Sequence, residues 1–189
     1  MGKSTAAGTL RSLGVPLFDA DLAVHRLLAS SGAAVPAVSA AFPGVATVAG
    51  DIDRVLLGQR VFTNPAALRR LEEILHPMVA AEEKRFLARL RARREALAVL
   101  DIPLLFETGA ERRCDYVLVV SAPAVVQRQR VMRRPGMTEI RLDAILRKQL
   151  PDYRKRQRAD FVVPTGAGRN VTLRRLKTIV RLLRNRGRQ

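Results

Sequence analysis

The sequence predicts an α/β fold with a parallel sheet. Short hydrophobic runs alternate with segments of helical periodicity along the 189 residues, the order typical of strand–helix–strand units. Each run is apolar nearly throughout, as expected for strands that helices cover on both faces. The length suits one domain with a sizeable insertion. Because no apolar run approaches ~18 residues, we expect a soluble protein without membrane spans.

The hydrophobic runs predict four strands, at residues 15–18, 96–100, 116–120 and 161–163. The interval 19–95 is far longer than one crossover helix needs. Its periodicity predicts a helical insertion, with helices at residues 20–29, 35–42, 54–62, 65–75 and 77–94. Asn64 followed by Pro65 is a typical helix start. His76-Pro77 predicts a break between the last two of these helices.

The carboxyl-terminal half predicts three more helices. One spans 124–133, and after a turn at Pro135-Gly136 a second spans 139–150 with Thr138 as its cap. The third, at 171–184, places four apolar residues on one face: Leu176, Ile179, Val180 and Leu183. That stripe favours a helix packed on the sheet over one lying on a membrane.

The net charge of +17 limits the classes of partner that the protein is expected to bind. It indicates either a polyanionic partner, nucleic acid or a phosphate-rich small molecule, or a solvated arginine-rich surface. Aromatic residues make up only 4% and Trp is missing, so the stacking surface of a single-strand binder is not evident. The single cysteine, Cys114, excludes an internal disulfide, and no secretory signal is visible. We therefore expect a cytoplasmic protein.

The chain opens with Gly2-Lys3-Ser4-Thr5, the second half of a phosphate-binding loop. In such a loop the lysine reaches the β- and γ-phosphates and the serine hydroxyl ligates Mg²⁺. A helix from Ala6 to Leu13 with Gly14 as its stop fits this interpretation. The four residues alone are a weak signal.

Acidic residues follow two predicted strands. Asp19 and Asp21 come after the first strand, where ligands of open α/β sheets bind. Either could accept a proton from an attacking hydroxyl, or simply cap the next helix, and we expect one of each. Asp101 ends the second strand, where a carboxylate supports Mg²⁺ in phosphoryl transfer or caps a turn. An apolar run then leads into Glu107.

Basic residues dominate the region after the third strand. Phosphoryl transfer relies on positioning and charge neutralisation, which arginine-rich helices closing over ATP could supply. Most of these side chains must nevertheless be plain surface. The cluster comprises Arg128, Arg130, Arg133, Arg134, Arg141, Arg147, Lys148, Arg154, Lys155, Arg156 and Arg158.

These features together resemble the dephospho-CoA kinases, along almost the whole chain. The supporting stretches are GKST, LGVPLFDAD (13–21), VFTNPAALRRLEEILHP (61–77), DIPLLFE (101–107) and KRQRADFVV (155–163). The resemblance implies a P-loop NTPase-like three-layer fold with a helical insertion and a helical lid. It also implies ATP-dependent phosphorylation of the ribose 3′-hydroxyl of dephospho-CoA, by a monomer or weak homo-oligomer.

The resemblance also implies roles and regions. Gly2, Lys3, Ser4 and Thr5 would bind ATP, Ser4 and Asp101 would support Mg²⁺, and Asp21 would be the general base. Asp19, Asp21, His76, Pro103 and Leu104 would contact the acceptor, with His76-Pro77 also shaping the chain. Arg133, Arg134 and Arg147 would act from the lid. Residues 1–30, 95–125 and 159–189 would form the nucleotide-binding core, 31–94 the acceptor-binding insertion and 126–158 the lid.

The sequence departs from the family pattern at two places. Val163-Pro164-Thr165-Gly166 stands where the family usually has an Asn near the adenine. The residues that contact the adenine ring are therefore not assigned from the sequence. The family's first strand and the first half of its phosphate loop do not precede Gly2. We expect a native chain roughly a dozen residues longer, and poor stability and weak ATP binding without it. Another small-molecule P-loop kinase, a nucleic-acid-binding protein and an inactive homologue are the alternatives.

Overall fold

The fold is described from a computed structural model that covers residues 2–62, 64–133 and 135–186. Helices and short strands alternate along the chain, as the sequence predicts. The helices are α1 (Lys3–Ser12), α2 (Ala20–Leu28), α3 (Val35–Ala41), α4 (Arg54–Phe62), α5 (Pro65–Ala92), α6 (Ala124–Met132), α7 (Glu139–Lys148), α8 (Asp152–Gln157) and α9 (Arg169–Arg186). The strands are β1 (Leu17–Asp19), β2 (Val99–Asp101), β3 (Leu118–Ser121) and β4 (Phe161–Pro164).

The chain forms two compact units. The helical unit is Phe18–Glu95, and the core unit combines Met1–Leu17 with Ala96–Gln189. The core unit therefore contains α1, β2 to β4 and α6 to α9, whereas α2 to α5 belong to the helical unit. The assignment of 31–94 to acceptor binding and of 126–158 to a lid stays a prediction.

Short parallel strands organise the core unit. β3 and β4 pair in parallel, with Leu118 opposite Phe161 and Ser121 opposite Pro164. β2 lies beside the segment that leads into β1, where the Val99 amide donates to the Pro16 carbonyl (2.9 Å). Three of the four strands begin two or three residues later than predicted, since each apolar run includes residues that precede the paired part of the strand.

Two helices cover one face of this core. The buried residues Leu10 of α1 and Leu176 and Val180 of α9 pack with Val15 and with Val163 of β4. Leu176 and Val163 are completely inaccessible to solvent. The predicted stripe of α9 is thus confirmed as an inward-facing surface at Leu176, Ile179 and Val180, and burial of this apolar area stabilises the position of α1.

The helical unit has a separate hydrophobic core. Ala34, Val38 and Val45 are fully buried there, and α5 packs against α2, α3 and α4. Asn64 caps α5 by accepting hydrogen bonds from the amides of Ala66 (3.0 Å) and Ala67 (3.1 Å). This confirms the predicted start of the helix.

The predicted break at His76-Pro77 is wrong, because α5 continues through Pro77. A proline inside a helix costs about 3 kcal/mol, since it removes one hydrogen bond and crowds the preceding turn. Apolar residues on both sides of Pro77 pack against the same core, Leu71 and Leu75 before it and Val79 after it. Their burial offsets the cost and keeps the two halves in one helix.

We expect Leu176→Ala to lower the free energy of unfolding by about 2–5 kcal/mol, because it leaves a cavity between α9 and β4. Leu182→Ala on the same helix is the matched control, since Leu182 is 42% exposed, and we expect a change within about 0.5 kcal/mol. Urea denaturation followed by circular dichroism measures both. Equal destabilisation by the two substitutions would contradict the packing described above.

Candidate functional site

The candidate site of the core unit begins at the amino end of α1. Gly2 caps this helix with left-handed angles, φ 92° and ψ 14°, and its carbonyl accepts a hydrogen bond from the Ala6 amide (2.9 Å). The amides of Lys3, Ser4 and Thr5 therefore lie in the first turn, where a helix supplies no carbonyl partner and its dipole is positive. This end of α1 is suited to bind a phosphate group.

Thr165 lies directly against Gly2. A β-carbon added at Gly2 would lie 3.2 Å from Cβ and Cγ2 of Thr165 and 3.3 Å from its Oγ1, closer than ordinary van der Waals contact. Thr165 is buried, and its amide and hydroxyl both donate to the Ser121 carbonyl, at 2.8 and 3.1 Å. The loop after β4 therefore fixes the position of Gly2. From the sequence, Thr165 is distinguished only as part of a departure from the family pattern.

Lys3 and Asp101 form an ion pair at the start of α1. The distance between Lys3 Nζ and Asp101 Oδ1 is 3.0 Å, and the two side chains are 45% and 11% exposed. Asp101 is the last residue of β2, so the strand end brings its carboxylate to the first turn of the helix. The structure thus joins two residues that the sequence placed in one site although 98 positions separate them. The cation suits phosphate oxygens and the carboxylate suits a hard metal ion.

The oxygen donors of this site fit Mg²⁺ better than a transition metal. Ser4 contributes a hydroxyl in the first turn of α1, and Asp101 contributes a carboxylate. Within residues 2–62, 64–133 and 135–186, no group of three or more His, Cys, Asp or Glu side chains could hold a metal. Mg²⁺ is usually held by only one or two carboxylates together with water and substrate phosphates, so this sparse donor set is compatible with it.

A tight loop follows Asp101. Pro103 is half-buried, whereas Leu104 is 43% exposed and has a left-handed backbone angle, φ 52°. The Leu104 carbonyl accepts hydrogen bonds from the amide and the hydroxyl of Thr108, both at 2.9 Å. These bonds fix the backbone of the loop at Leu104, whose apolar side chain lies at the surface.

Glu107 connects the same loop to the segment before α8. Its Oε1 accepts a hydrogen bond from the Leu150 amide (2.6 Å) and lies 3.1 Å from Lys155 Nζ. Burial raises the pKa of Glu107, but the hydrogen bonds from the Leu150 amide and its own amide, together with Lys155, outweigh burial and lower it. The carboxylate is therefore stabilised in its charged form.

The arginine-rich segment lies on α6, α7 and α8. Arg133, which directly follows α6, and Arg147 of α7 are both exposed, and Arg134 lies outside the described residues. The exposed Arg128 forms an ion pair with Glu139, so it serves as a surface contact between α6 and α7. Arg133 and Arg147 are therefore accessible to a ligand.

Arg130 is the arginine of this segment that contacts the loop beside Gly2. Its Nη2 donates to the Thr165 carbonyl at 2.9 Å and its Nη1 lies 3.5 Å from Thr165 Oγ1. The sequence analysis included Arg130 in the basic cluster but did not select it. The contact joins residues 35 positions apart, and local sequence pattern carries no signal for such a pair.

The helical unit carries the other predicted acids. Asp19 accepts a hydrogen bond from the Leu22 amide (3.0 Å) and so caps α2, which confirms that one of the two acids is a cap. Asp21 lies exposed in the first turn of the same helix. The two carboxylates do not alternate along one strand, because β1 ends at Asp19 and helix begins at Ala20.

His76 and Pro77 lie on the exposed side of α5, in the middle of the helix. Pro77 therefore does not divide the chain there, contrary to the shaping role expected for the pair. As for membranes, none of the helices in the described part of the chain has the length and hydropathy needed to cross a bilayer.

The comparisons with known proteins agree on one family. The family model described as "CoaE: Dephospho-CoA kinase" matches residues 1–169. A dephospho-CoA kinase of Paramagnetospirillum magneticum is 60% identical over 97% of this chain and 86% of its own length. One of Mesorhizobium japonicum is 55% identical over 97% of this chain and 92% of its own length.

Solved structures show the same similarity. The crystal structure of TT1252 from Thermus thermophilus superposes with a TM-score of 0.77 and 38% identity, covering 96% of this chain and 92% of that one. A dephospho-CoA kinase from Campylobacter jejuni gives a TM-score of 0.72 at 25% identity, covering 97% and 92%. The α/β fold is therefore shared with these proteins over nearly their whole length.

We expect Gly2→Ala to destabilise the protein by about 1–2 kcal/mol, because alanine disfavours a left-handed φ and would also press on Thr165. Gly8→Ala is the matched control within α1. Nothing lies within 4 Å of a β-carbon there, so alanine should stabilise the helix by about 0.5–1 kcal/mol. Thermal melts monitored by circular dichroism compare the two. A neutral Gly2→Ala would refute the constraint at Gly2.

We expect Glu107→Gln to flatten the acid dependence of stability. A lowered pKa stabilises the folded state above the ordinary value of 4.5, and the contribution is lost as the pH falls through the folded-state pKa. Unfolding free energies measured from pH 7 down to about pH 3 test this. Asp115→Asn, at an exposed site of the core unit, is the control and should retain the normal profile. An unchanged profile in Glu107→Gln would contradict the role of this carboxylate.

Proposed function

The chain belongs to the dephospho-CoA kinase family, and from this premise we propose which residues carry its reaction. The reaction is transfer of the γ-phosphoryl group of ATP to the ribose 3′-hydroxyl of dephospho-CoA, the last step of coenzyme A synthesis. The structural observation that supports our assignment is the Lys3–Asp101 pair at the amino end of α1. It combines a phosphate-binding cation, a metal-binding carboxylate and first-turn amides.

Gly2 to Thr5 are assigned to the ATP phosphates. The first-turn amides of α1 would donate to phosphate oxygens, and Lys3 would neutralise charge on the transferred group. Thr165 would keep Gly2 in the conformation that aims these amides outward. Because phosphoryl transfer needs little covalent chemistry from the protein, this fixed geometry is the main contribution expected of the core unit.

Ser4 and Asp101 are assigned to a magnesium ion that accompanies ATP. Bound Mg²⁺ would neutralise negative charge on the phosphate oxygens. Asp101 is 11% exposed at the end of β2, so its carboxylate is held by the strand rather than by a flexible loop. Its ion pair with Lys3 would then be exchanged for contacts to the nucleotide.

Asp21 is assigned as the general base. It lies exposed in the first turn of α2, and Asp19 caps that helix. A carboxylate at this position would accept the proton of the ribose hydroxyl as the phosphoryl group arrives. Asp19, His76, Pro103 and Leu104 are assigned to the acceptor, and Arg133 and Arg147 to charge neutralisation from the lid. Arg134, also expected in the lid, lies outside the described residues.

The remaining assignments concern the protein as a whole. We place the reaction in the cytoplasm and assign it to a monomer or weak homo-oligomer, which light scattering at several protein concentrations would measure.

The decisive experiment measures ADP release with ATP, Mg²⁺ and dephospho-CoA, beside a reaction without acceptor. We expect acceptor-dependent release and a product that coelutes with coenzyme A. Asp21→Asn should lower kcat by about 10²–10⁴-fold with a smaller change in either KM, as loss of a general base does. Asp115→Asn, an exposed acid of the core unit, should keep kcat within about twofold.

Lys3→Ala tests the phosphate site in the same assay. We expect a higher KM for ATP together with a lower kcat, because the ammonium contacts the group in both the ground and the transition state. Acceptor-independent ATP hydrolysis, or a full rate in Asp21→Asn, would contradict the assigned roles.

A further inference from the structure

Ser121 and Thr165 connect the ends of the parallel strands β3 and β4, next to the amino end of α1. Ser121 is the last residue of β3, and Thr165 directly follows β4. Both residues are buried, and the Ser121 carbonyl accepts two hydrogen bonds from Thr165. We call this pair the β3–β4 joint. The joint adjoins Gly2 through the side chain of Thr165, so a shift of Thr165 would move the first turn of α1.

Both ends of the arginine-rich segment 126–158 attach to this joint. Near the beginning of the segment, Arg130 of α6 donates to the Thr165 carbonyl at 2.9 Å. Near its end, Asp152, the first residue of α8, accepts a hydrogen bond from the Ser121 hydroxyl at 2.7 Å. Residues 131–151, which include α7, lie between these two attachments along the chain.

The attachment at Asp152 is sensitive to substitution. Asp152 Oδ1 is buried and has no hydrogen-bond partner in the described part of the chain, so the Ser121 hydroxyl is the donor shown for this carboxylate. Hydrogen bonds to a charged acceptor are among the stronger ones, and a buried carboxylate oxygen that loses its donor is costly. Removing the Ser121 hydroxyl should therefore displace the start of α8.

We propose that the β3–β4 joint couples the position of the arginine-rich segment to the phosphate-binding end of α1. Ser121, Thr165 and Asp152 are then positioning residues for ATP. They act through Gly2 on one side and through α6 and α8 on the other. This inference rests on the proposed function, in which Gly2 to Thr5 hold the phosphates and the segment closes over them.

The test compares Ser121→Ala, Asp152→Ala, the double variant and Asp152→Asn by steady-state kinetics. Each alanine variant should raise the KM for ATP about tenfold, the effect of one hydrogen bond to a charged group, and change the KM for dephospho-CoA less than twofold. The KM for ATP of the double variant should equal that of either single alanine variant, because each substitution removes the same hydrogen bond. Asp152→Asn keeps an acceptor for the hydroxyl and should restore most of the affinity.

Asp143→Ala is the control, since it removes the same charge from an exposed position of the same segment. Its KM for ATP should stay within about twofold. Thermal melts establish that each variant is folded. Folded alanine variants with an unchanged KM for ATP, an equal rise in both KM values, or additive effects in the double variant would each overturn the inference.

Calorimetric ATP binding separates failure of this inference from failure of the proposed function. If the unmodified chain binds ATP but forms no coenzyme A, the proposed activity is wrong while the joint is still tested. A Kd raised about tenfold in Ser121→Ala and Asp152→Ala then supports the joint, and an unchanged Kd overturns it. If the unmodified chain binds no ATP, the inference is overturned as well.

Discussion

The burial of α1 against α9 and β4 is the constraint on which the candidate site depends. The first turn of a helix binds an anion only if the helix axis is held still, and a ten-residue helix is only marginally stable alone. Leu10 packs with Val163 and Leu176, the last two inaccessible to solvent, so the apolar interior holds α1 from behind. Gly2 and Thr165 then fix the orientation of the amino end of α1. Packing thus supplies the rigidity that the phosphate site requires.

Local chemical rules made much of this structure predictable. The Asn64-Pro65 start of α5, the Thr138 cap of α7 and the apolar stripe of α9 each depend on residues within a few positions, and all three are confirmed. The proximity of Lys3 and Asp101 was predictable for a different reason. Ligands of open α/β sheets bind beyond the carboxyl ends of the strands, so a strand-end carboxylate and a phosphate-binding helix start are expected at one site.

The remaining features depend on contacts that no local pattern encodes. Pro77 is compatible with a helix here because residues on both sides are buried in one core, which the sequence around a proline does not reveal. Arg130 could not be distinguished from its neighbours, since all the arginines of that segment have the same charge and only the loop carrying Thr165 selects one. The end of β1 at Asp19 differs from these cases, because Asp19 accepts its capping hydrogen bond from the nearby Leu22 amide, and a cap is one of the two roles expected for these acids.

The left-handed backbone at Gly2 makes chirality, and not only size, a constraint at the candidate phosphate site. Glycine carries two α-hydrogens, and an L-residue replaces the one that points at Thr165. A D-alanine introduced by chemical ligation would replace the other hydrogen, and D-residues favour positive φ. This position therefore does not require glycine itself, but it disfavours L-residues that carry a β-carbon. The genetic code offers no residue of the opposite hand, which leaves glycine as the encoded choice at this position.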